Sequence, residues 1–244
     1  MRFDLLPEDL VQTKIAGSAF QFSSIKVTKL GSSEYTLVTI AMDTSGSISP
    51  YQSDLVNMLN SIVDACKKSP RAENLLIRVL TFDDQARELH GFIPLQNIIQ
   101  YQQNDLNCGG CTALYDAMYS AVTATAIFGE NLVDQDYDVN AVIYVCTDGG
   151  DNSSSFRPAK IANEIEKIAQ AEKIESLTTI LIGMGGAGEL TTFKNEAKLT
   201  QTIDMGDITP GKLAKLAGFV SKSISSSSAS LGTGSAAPVP SLTF

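Results

Sequence analysis

Positive charge is scarce in this 244-residue chain, whose 18 lysine and arginine residues are outnumbered by 27 aspartate and glutamate residues. The formal net charge is −9, and no basic run is longer than the pair Lys67-Lys68. Because nucleic-acid binding needs lysine and arginine side chains clustered against the phosphates, the sequence predicts no nucleic-acid partner. An acidic surface is also repelled by anionic lipids, so we expect no association with a membrane.

Long apolar runs are missing as well. No stretch approaches the roughly 18–20 consecutive apolar residues that a transmembrane helix requires. The first nine residues, MRFDLLPED, carry acidic side chains where a signal peptide needs an uninterrupted apolar segment. We therefore expect a protein that is not secreted by a signal peptide and that resides in the cytoplasm.

Cysteine and histidine are rare. Two of the four cysteines, Cys66 and Cys146, fall inside a predicted helix and a predicted strand, so a disulfide framework is not expected. Cys108 and Cys111 have the spacing of a redox-active or zinc-binding pair, but their predicted surroundings complete neither site, and we interpret them as unreactive thiols. The only histidine, His90, has no acidic partner in the sequence and is predicted to pack rather than to catalyse.

What the chain does have is a regular alternation of strand-like and helix-like segments. Runs rich in β-branched and apolar residues predict strands at residues 35–42, 75–82, 85–92, 139–146, 177–183 and 201–205. An apolar face at residues 55, 58, 59, 62 and 63 predicts a helix that ends before Ser69-Pro70. Further helices are predicted at residues 114–128, where Gly129 would end the helix, and at 158–173, 189–198 and 210–225.

This alternation predicts the α/β class, with a Rossmann-like, doubly wound and mostly parallel sheet that has helices on both faces. The strands at 75–82 and 85–92 are separated only by the turn Asp83-Asp84, so we expect them to pair antiparallel and to place one antiparallel strand at an edge.

The domain organisation follows from changes in composition. Residues 1–30 are predicted to be an N-terminal extension packed on the domain, with a short strand at 18–27, and residues 31–225 form the α/β domain. Residues 226–244 are rich in serine, alanine and proline and cannot build a core. We expect a flexible tail, or an arm that orders on a partner and ends in the apolar Leu242 and Phe244.

Three polar segments fall at or beside the predicted carboxyl ends of strands, where open α/β sheets place their ligand sites. They are Asp43-Thr44-Ser45-Gly46-Ser47, Cys108-Gly109-Gly110-Cys111-Thr112 and Thr147-Asp148-Gly149. Short oxygen-bearing side chains are suited to hard divalent cations, and glycines allow close backbone approach. The sequence therefore predicts a metal site whose ligands are Asp43, Ser45, Ser47, Thr112 and Asp148.

Together these segments resemble the metal-ion-dependent adhesion site of the von Willebrand factor A (vWA) family. The pattern Asp43-x-Ser45-x-Ser47, the Gly-x-Thr ending at Thr112 and the Thr-Asp-Gly around Asp148 occur in the family's order, over roughly residues 35–225. The resemblance implies the vWA fold, a Mg²⁺ or Mn²⁺ ion above the sheet, and an open position for a partner's carboxylate. Tyr115-Asp116-Ala117 also looks like the stand-alone bacterial and phage branch, which includes tellurite-resistance-associated proteins.

The same residues allow two other interpretations. Asp43 and the serines after it could simply cap a turn that enters a helix, and the site could retain its residues without binding a metal. The side chains do not decide between Mg²⁺, Mn²⁺ and Ca²⁺, since oxygen ligands accept all three.

The sequence can be assigned to one of three functional classes. The preferred one is a cation-dependent module that binds a protein partner through an Asp or Glu of that partner. A metal-dependent phosphatase or hydrolase is disfavoured, because position 45 is serine rather than a second aspartate and none of the three segments contains lysine. The third is a structural component of a phage particle or another large assembly, which the C-terminal tail would join to its neighbours.

Overall fold

The computed structural model describes residues 5–185, 190–231 and 242. Within these residues the strands are β1 (Leu10–Lys14), β2 (Gln21–Ile25), β3 (Glu34–Asp43), β4 (Leu75–Phe82), β5 (Ala86–Pro94), β6 (Asp138–Thr147), β7 (Ser176–Gly183) and β8 (Gln201–Asp204). The α-helices are α1 (Gln52–Lys67), α2 (Leu114–Val133), α3 (Pro158–Ala171), α4 (Leu190–Glu196) and α5 (Pro210–Ser230). None of the helices in these ranges is long and apolar enough to cross a membrane.

The strands form a single sheet in the order β1-β2-β5-β4-β3-β6-β7-β8. Strands β4, β3, β6, β7 and β8 are parallel, and β5 runs antiparallel to β4. Both central strands, β3 and β6, are buried along almost their whole length, which explains why their sequences are continuously apolar rather than alternating. The predicted α/β class and mostly parallel sheet are confirmed.

Helices cover both faces of the sheet, so that two apolar layers form. Val38, Ile40 and Met42 of β3 face the layer that contains α1 and α5. Leu37 and Ala41 face the opposite layer, which contains α2, α3 and α4. This alternation along one strand leaves only the ends of the central strands free for polar chemistry.

The N-terminal extension joins the sheet. The expected strand at 18–27 is β2, which pairs antiparallel with β1 and lies parallel to β5 through the register pair Ser24–Phe92. Gly91 permits this contact, because a Cβ atom there would lie 1.8 Å from the carbonyl oxygen of Ser23. The antiparallel strand β5 therefore has a neighbour on each side, and β1 forms the edge. Strand β1 was not predicted because its side chains are mostly exposed and polar.

Two helices extend beyond their predicted ends, whereas α3 and α4 each end two residues before theirs, at Ala171 and Glu196. Helix α2 continues through Gly129 to Val133, because this glycine fits against Ile174: a Cβ atom would lie 2.6 Å from Ile174 Cδ1. Helix α5 continues past Ser225 to Ser230, where the side-chain amide of Asn140 donates to the carbonyl of Ser227 at 2.5 Å. The predicted arm lies mostly outside the described residues, as does Phe244; Leu242 packs against the α1/α5 layer of the same chain.

Candidate metal centre

The three polar segments meet at the carboxyl ends of the central parallel strands. Asp43 is the last residue of β3, and Thr147 is the last residue of the neighbouring strand β6, so that Asp148 follows directly. Thr112 precedes α2 by two residues. Parallel neighbouring strands bring their carboxyl ends together, which is why segments about 100 residues apart in sequence become adjacent.

Asp43 is the most enclosed member of the group, with an exposed fraction of 0%. Its Oδ1 accepts a hydrogen bond from the backbone N–H of Ser45 at 2.8 Å. Its Oδ2 accepts a hydrogen bond from the Thr147 hydroxyl at 2.6 Å. Burial raises the pKa of Asp43, and the like charge of Asp148 adds to that rise, whereas the bonds from Thr147 and Ser45 oppose it.

Ser45 connects Asp43 to Asp148, through its backbone N–H on one side and its hydroxyl on the other. Ser45 Oγ lies 3.2 Å from Ser47 Oγ and 3.5 Å from Asp148 Oδ1. Ser45 is buried, whereas Ser47 is exposed and Asp148 is half-buried. The predicted ligands from the first and third segments therefore form one cluster that is closed below and open to solvent above.

Thr112 is held beside this cluster by its backbone. Its N–H donates to Asn152 Oδ1 at 2.7 Å, and its carbonyl accepts from the N–H of Asn152 at 3.0 Å. The side chain of Thr112 is buried, with an exposed fraction of 5%. Neither Asn152 nor Thr147 was predicted to be a ligand, but both orient predicted ligands through hydrogen bonds.

Backbone hydrogen bonds fasten the middle segment to the first. The N–H of Gly46 donates to the carbonyl of Gly110 at 3.2 Å, and the N–H of Gly109 donates to the carbonyl of Thr44 at 2.8 Å. Gly110 has a φ of +75°, and a Cβ atom there would lie 2.6 Å from a carboxylate oxygen of Asp84. Glycine is therefore required at position 110 on two grounds.

The Asp83-Asp84 turn supports the same segment. Asp84 Oδ1 accepts the N–H of Cys111 at 2.9 Å, and Asp83 pairs with Arg87. Each aspartate thus has a local structural partner, in agreement with the interpretation of this dipeptide as a turn.

The donor set suits a hard cation. All five predicted ligands offer oxygen atoms, two of them charged, and within the described ranges neither Asp43 nor Asp148 forms an ion pair with a basic side chain. Those ranges contain no group of three or more His, Cys, Asp and Glu residues placed to hold a metal, so any cation here would depend on the hydroxyls. Two nearby carboxylates without a basic partner are the arrangement that a divalent cation would neutralise.

The cysteines and the histidine are not part of the proposed ligand set. All four cysteines are free thiols, with Cys108 half-buried and Cys111 exposed. His90 is buried, and its Nε2 lies 2.6 Å from the Tyr101 hydroxyl. Burial lowers the pKa of His90 to about 4, so this imidazole is neutral and structural at physiological pH.

The fold is similar to those of several solved structures. A von Willebrand factor type A protein from Catenulispora acidiphila superposes with a TM-score of 0.52 at 15% identity, covering 89% of this chain and 45% of that one. Proximal thread matrix protein 1 from the mussel byssus gives 0.53 at 20% identity, covering 79% and 47%. The PilB minor pilin from Streptococcus sanguinis gives 0.56 at 14% identity, covering 82% and 64%.

The chain has the vWA fold. It spans about half to two thirds of the length of these solved proteins, 45%, 47% and 64% in the three cases. No family model matches the sequence, and no curated protein matches it either. The finer resemblance to the stand-alone bacterial and phage branch therefore stays a prediction. For the mussel vWA-fold protein, a further structure is described with zinc in its metal-ion-dependent adhesion site, at 20% identity and a TM-score of 0.50.

Proposed function

We propose that this protein is a divalent-cation-dependent binding module, and that Asp43, Ser45, Ser47, Thr112 and Asp148 hold the cation. The observation that carries the proposal is the cluster of Asp43, Ser45, Ser47 and Asp148 at the ends of β3 and β6, linked by contacts of 2.8, 3.2 and 3.5 Å. The bound cation would supply a coordination position for an Asp or Glu carboxylate of a protein partner.

The protein's own residues determine what such a partner can reach. Asp43 is the deepest member of the cluster and is not exposed to solvent, whereas Ser47 and the neighbouring Gly46, Gly110 and Gly150 are exposed. Small exposed residues at these four positions let a partner's backbone approach closely. A charge-assisted contact in such a partly enclosed place can contribute much of the affinity of an interface.

Mg²⁺ is the proposed ion, with Mn²⁺ and Ca²⁺ as alternatives. Hydroxyl and carboxylate oxygens are the donors that these hard cations prefer. The zinc found in the mussel protein supports the choice of a divalent cation for this fold, while the absence of a nitrogen or sulfur ligand from the proposed set favours a harder ion here.

We also propose that the site has no catalytic activity. The proposed ligand set contains no histidine or lysine, and the neutral His90 is buried in β5 beside Tyr101. A buried carboxylate bonded to Thr147 and Ser45 is suited to holding a cation rather than to attacking a phosphoryl group. Phosphatase activity in Mg²⁺ that is lost specifically in Asp43→Asn would contradict this proposal.

The decisive functional experiment is a pull-down from the source cell or particle. Tagged wild-type protein and Asp43→Ala are each used in Mg²⁺ and in EDTA. A partner retained only by the wild type in Mg²⁺ supports metal-bridged binding. A partner retained in all four conditions supports the alternative, a structural component of a larger assembly that does not depend on the metal.

A further inference from the structure

The protein has a polar cavity that shares no lining residue with the candidate metal centre. It has a volume of about 340 Å³ and is enclosed by the β1–β2 hairpin, strand β5 and helix α2. The side chains that matter for its chemistry are Arg78, Glu88, Ser120, Gln12 and Gln21. Nothing in the proposed function uses this cavity.

Arg78 forms its inner wall and is almost completely buried, with an exposed fraction of 1%. A guanidinium carries five N–H donors. Among the described residues, Nε donates to Glu88 Oε2 at 2.8 Å, whereas Nη1 and Nη2 reach only Ser120 O at 3.5 Å and Ser120 Oγ at 3.3 Å. Two donors are therefore unused, and two more are used at distances well beyond the usual 2.9–3.0 Å.

Glu88 does not need those donors. Its Oε2 accepts from Arg78, while its Oε1 accepts from the backbone N–H of Ser23 at 2.9 Å and from the Ser23 hydroxyl. The carboxylate thus joins the N-terminal hairpin to β5 and is already satisfied by three donors. The outer end of the Arg78 guanidinium remains available to another acceptor.

The mouth of the cavity is rich in donors. The exposed side chains of Gln12 and Gln21 make no hydrogen bond within the described ranges. Lys14 pairs with Gln21 across the hairpin, so the two side chains lie on the same face. Two basic residues, Arg78 and Arg87, line the cavity; Glu88, which also lines it, pairs with Arg78, and Asp83 pairs with Arg87.

We propose that this cavity binds a small oxyanion, a phosphate or carboxylate group, on the outward N–H groups of Arg78, with Gln12 and Gln21 at its mouth. The planar guanidinium fork matches two oxygens of such a group. The site would hold a free anion or one acidic group of a small solute, and its occupation would add a contact between the hairpin and the sheet.

The test is calorimetric titration with inorganic phosphate and with acetate, at constant ionic strength, of protein whose metal has been removed with EDTA and which has then been dialysed into metal-free buffer without EDTA. The reference is chloride at the same ionic strength. We expect saturable binding of at least one of the two anions to the wild type. Gln21→Glu places a carboxylate at the mouth and should weaken the binding about tenfold or more. Gln170→Glu, the same charge change on an exposed part of α3, should leave it unchanged.

The variant Glu88→Gln should change anion binding in the opposite direction. Removing this charge should tighten anion binding about tenfold or more, and added anion should restore much of the thermal stability lost with the ion pair. If Glu88→Gln does not fold, the comparison of Gln21→Glu with Gln170→Glu decides alone. The proposal is overturned if neither anion binds the wild type more than chloride does, or if Gln21→Glu binds as well as Gln170→Glu.

Discussion

Thr147 donates its hydroxyl to the buried carboxylate of Asp43 at 2.6 Å, across two neighbouring strands. Thr147 comes one residue after Cys146, the register partner of Met42, so the two side chains are placed side by side by the sheet itself. The bond holds Asp43 in the orientation in which its other oxygen accepts the N–H of Ser45. The rigid centre of the sheet therefore orients the deepest of the proposed ligands.

Thr147→Val is expected to destabilise the protein by about 1–3 kcal/mol, because a buried carboxylate oxygen loses its donor while the shape is kept. Urea denaturation in EDTA measures the change. Thr123→Val is the matched control, since the Thr123 hydroxyl is buried without a hydrogen-bond partner in the described chain. Its loss should be neutral or stabilising. Equal destabilisation by both variants would show that the hydrogen bond to Asp43 does not contribute to the stability of the protein.

Two helical glycines should respond oppositely to alanine. Gly218 lies in α5 with open space around it, so Gly218→Ala should stabilise the protein by about 0.5–1 kcal/mol through helix propensity. Gly129→Ala should show none of this gain, because its Cβ would displace the end of the Ile174 side chain. Thermal unfolding of both variants tests the difference, and an equal gain at both positions would contradict the close packing at Gly129.

His90 should make stability depend on acid pH. Its folded-state pKa of about 4 lies below the ordinary value of 6.5, so the folded protein binds the proton less readily than the unfolded chain does. The stabilisation is complete above about pH 6.5 and is lost as the pH falls towards 4, by on the order of 3 kcal/mol. Urea denaturation of wild type and His90→Gln between pH 7 and 4 measures this. A wild-type slope no steeper than that of the variant would argue against a buried neutral His90.

Much of the fold could be predicted because its central segments have a single interpretation. Residues 75–82 were predicted as a strand and form β4 with the same limits, since a short apolar run between two turns allows little else. Strand β1 could not be predicted in this way. Its exposed polar side chains carry no pattern, and its pairing depends on β2 and on the space that Gly91 leaves.

The proposed ligands could be predicted for a similar reason, whereas the residues that orient them could not. Asp43 and Asp148 stand out because each comes at the end of a long apolar run in the sequence. Thr147 looks in sequence like one more β-branched strand residue, and Asn152 like part of a polar loop. Thr147 becomes the hydrogen-bond partner of Asp43 because β3 pairs with β6. Asn152 becomes the partner of Thr112 because the segment 148–155 turns back towards Thr112.

The most direct test of the central claim is the melting temperature in EDTA and in Mg²⁺ of wild type, Asp43→Asn and Asp64→Asn. Asp64 is an exposed residue of α1 and controls for loss of a carboxylate. In EDTA, Asp43→Asn should melt at or above the wild type, because burying Asp43 near Asp148 is costly without a cation. Mg²⁺ should raise the melting temperature of wild type and Asp64→Asn but not of Asp43→Asn, reversing the order. A wild-type melting temperature that does not respond to Mg²⁺, Mn²⁺ or Ca²⁺ would contradict the account.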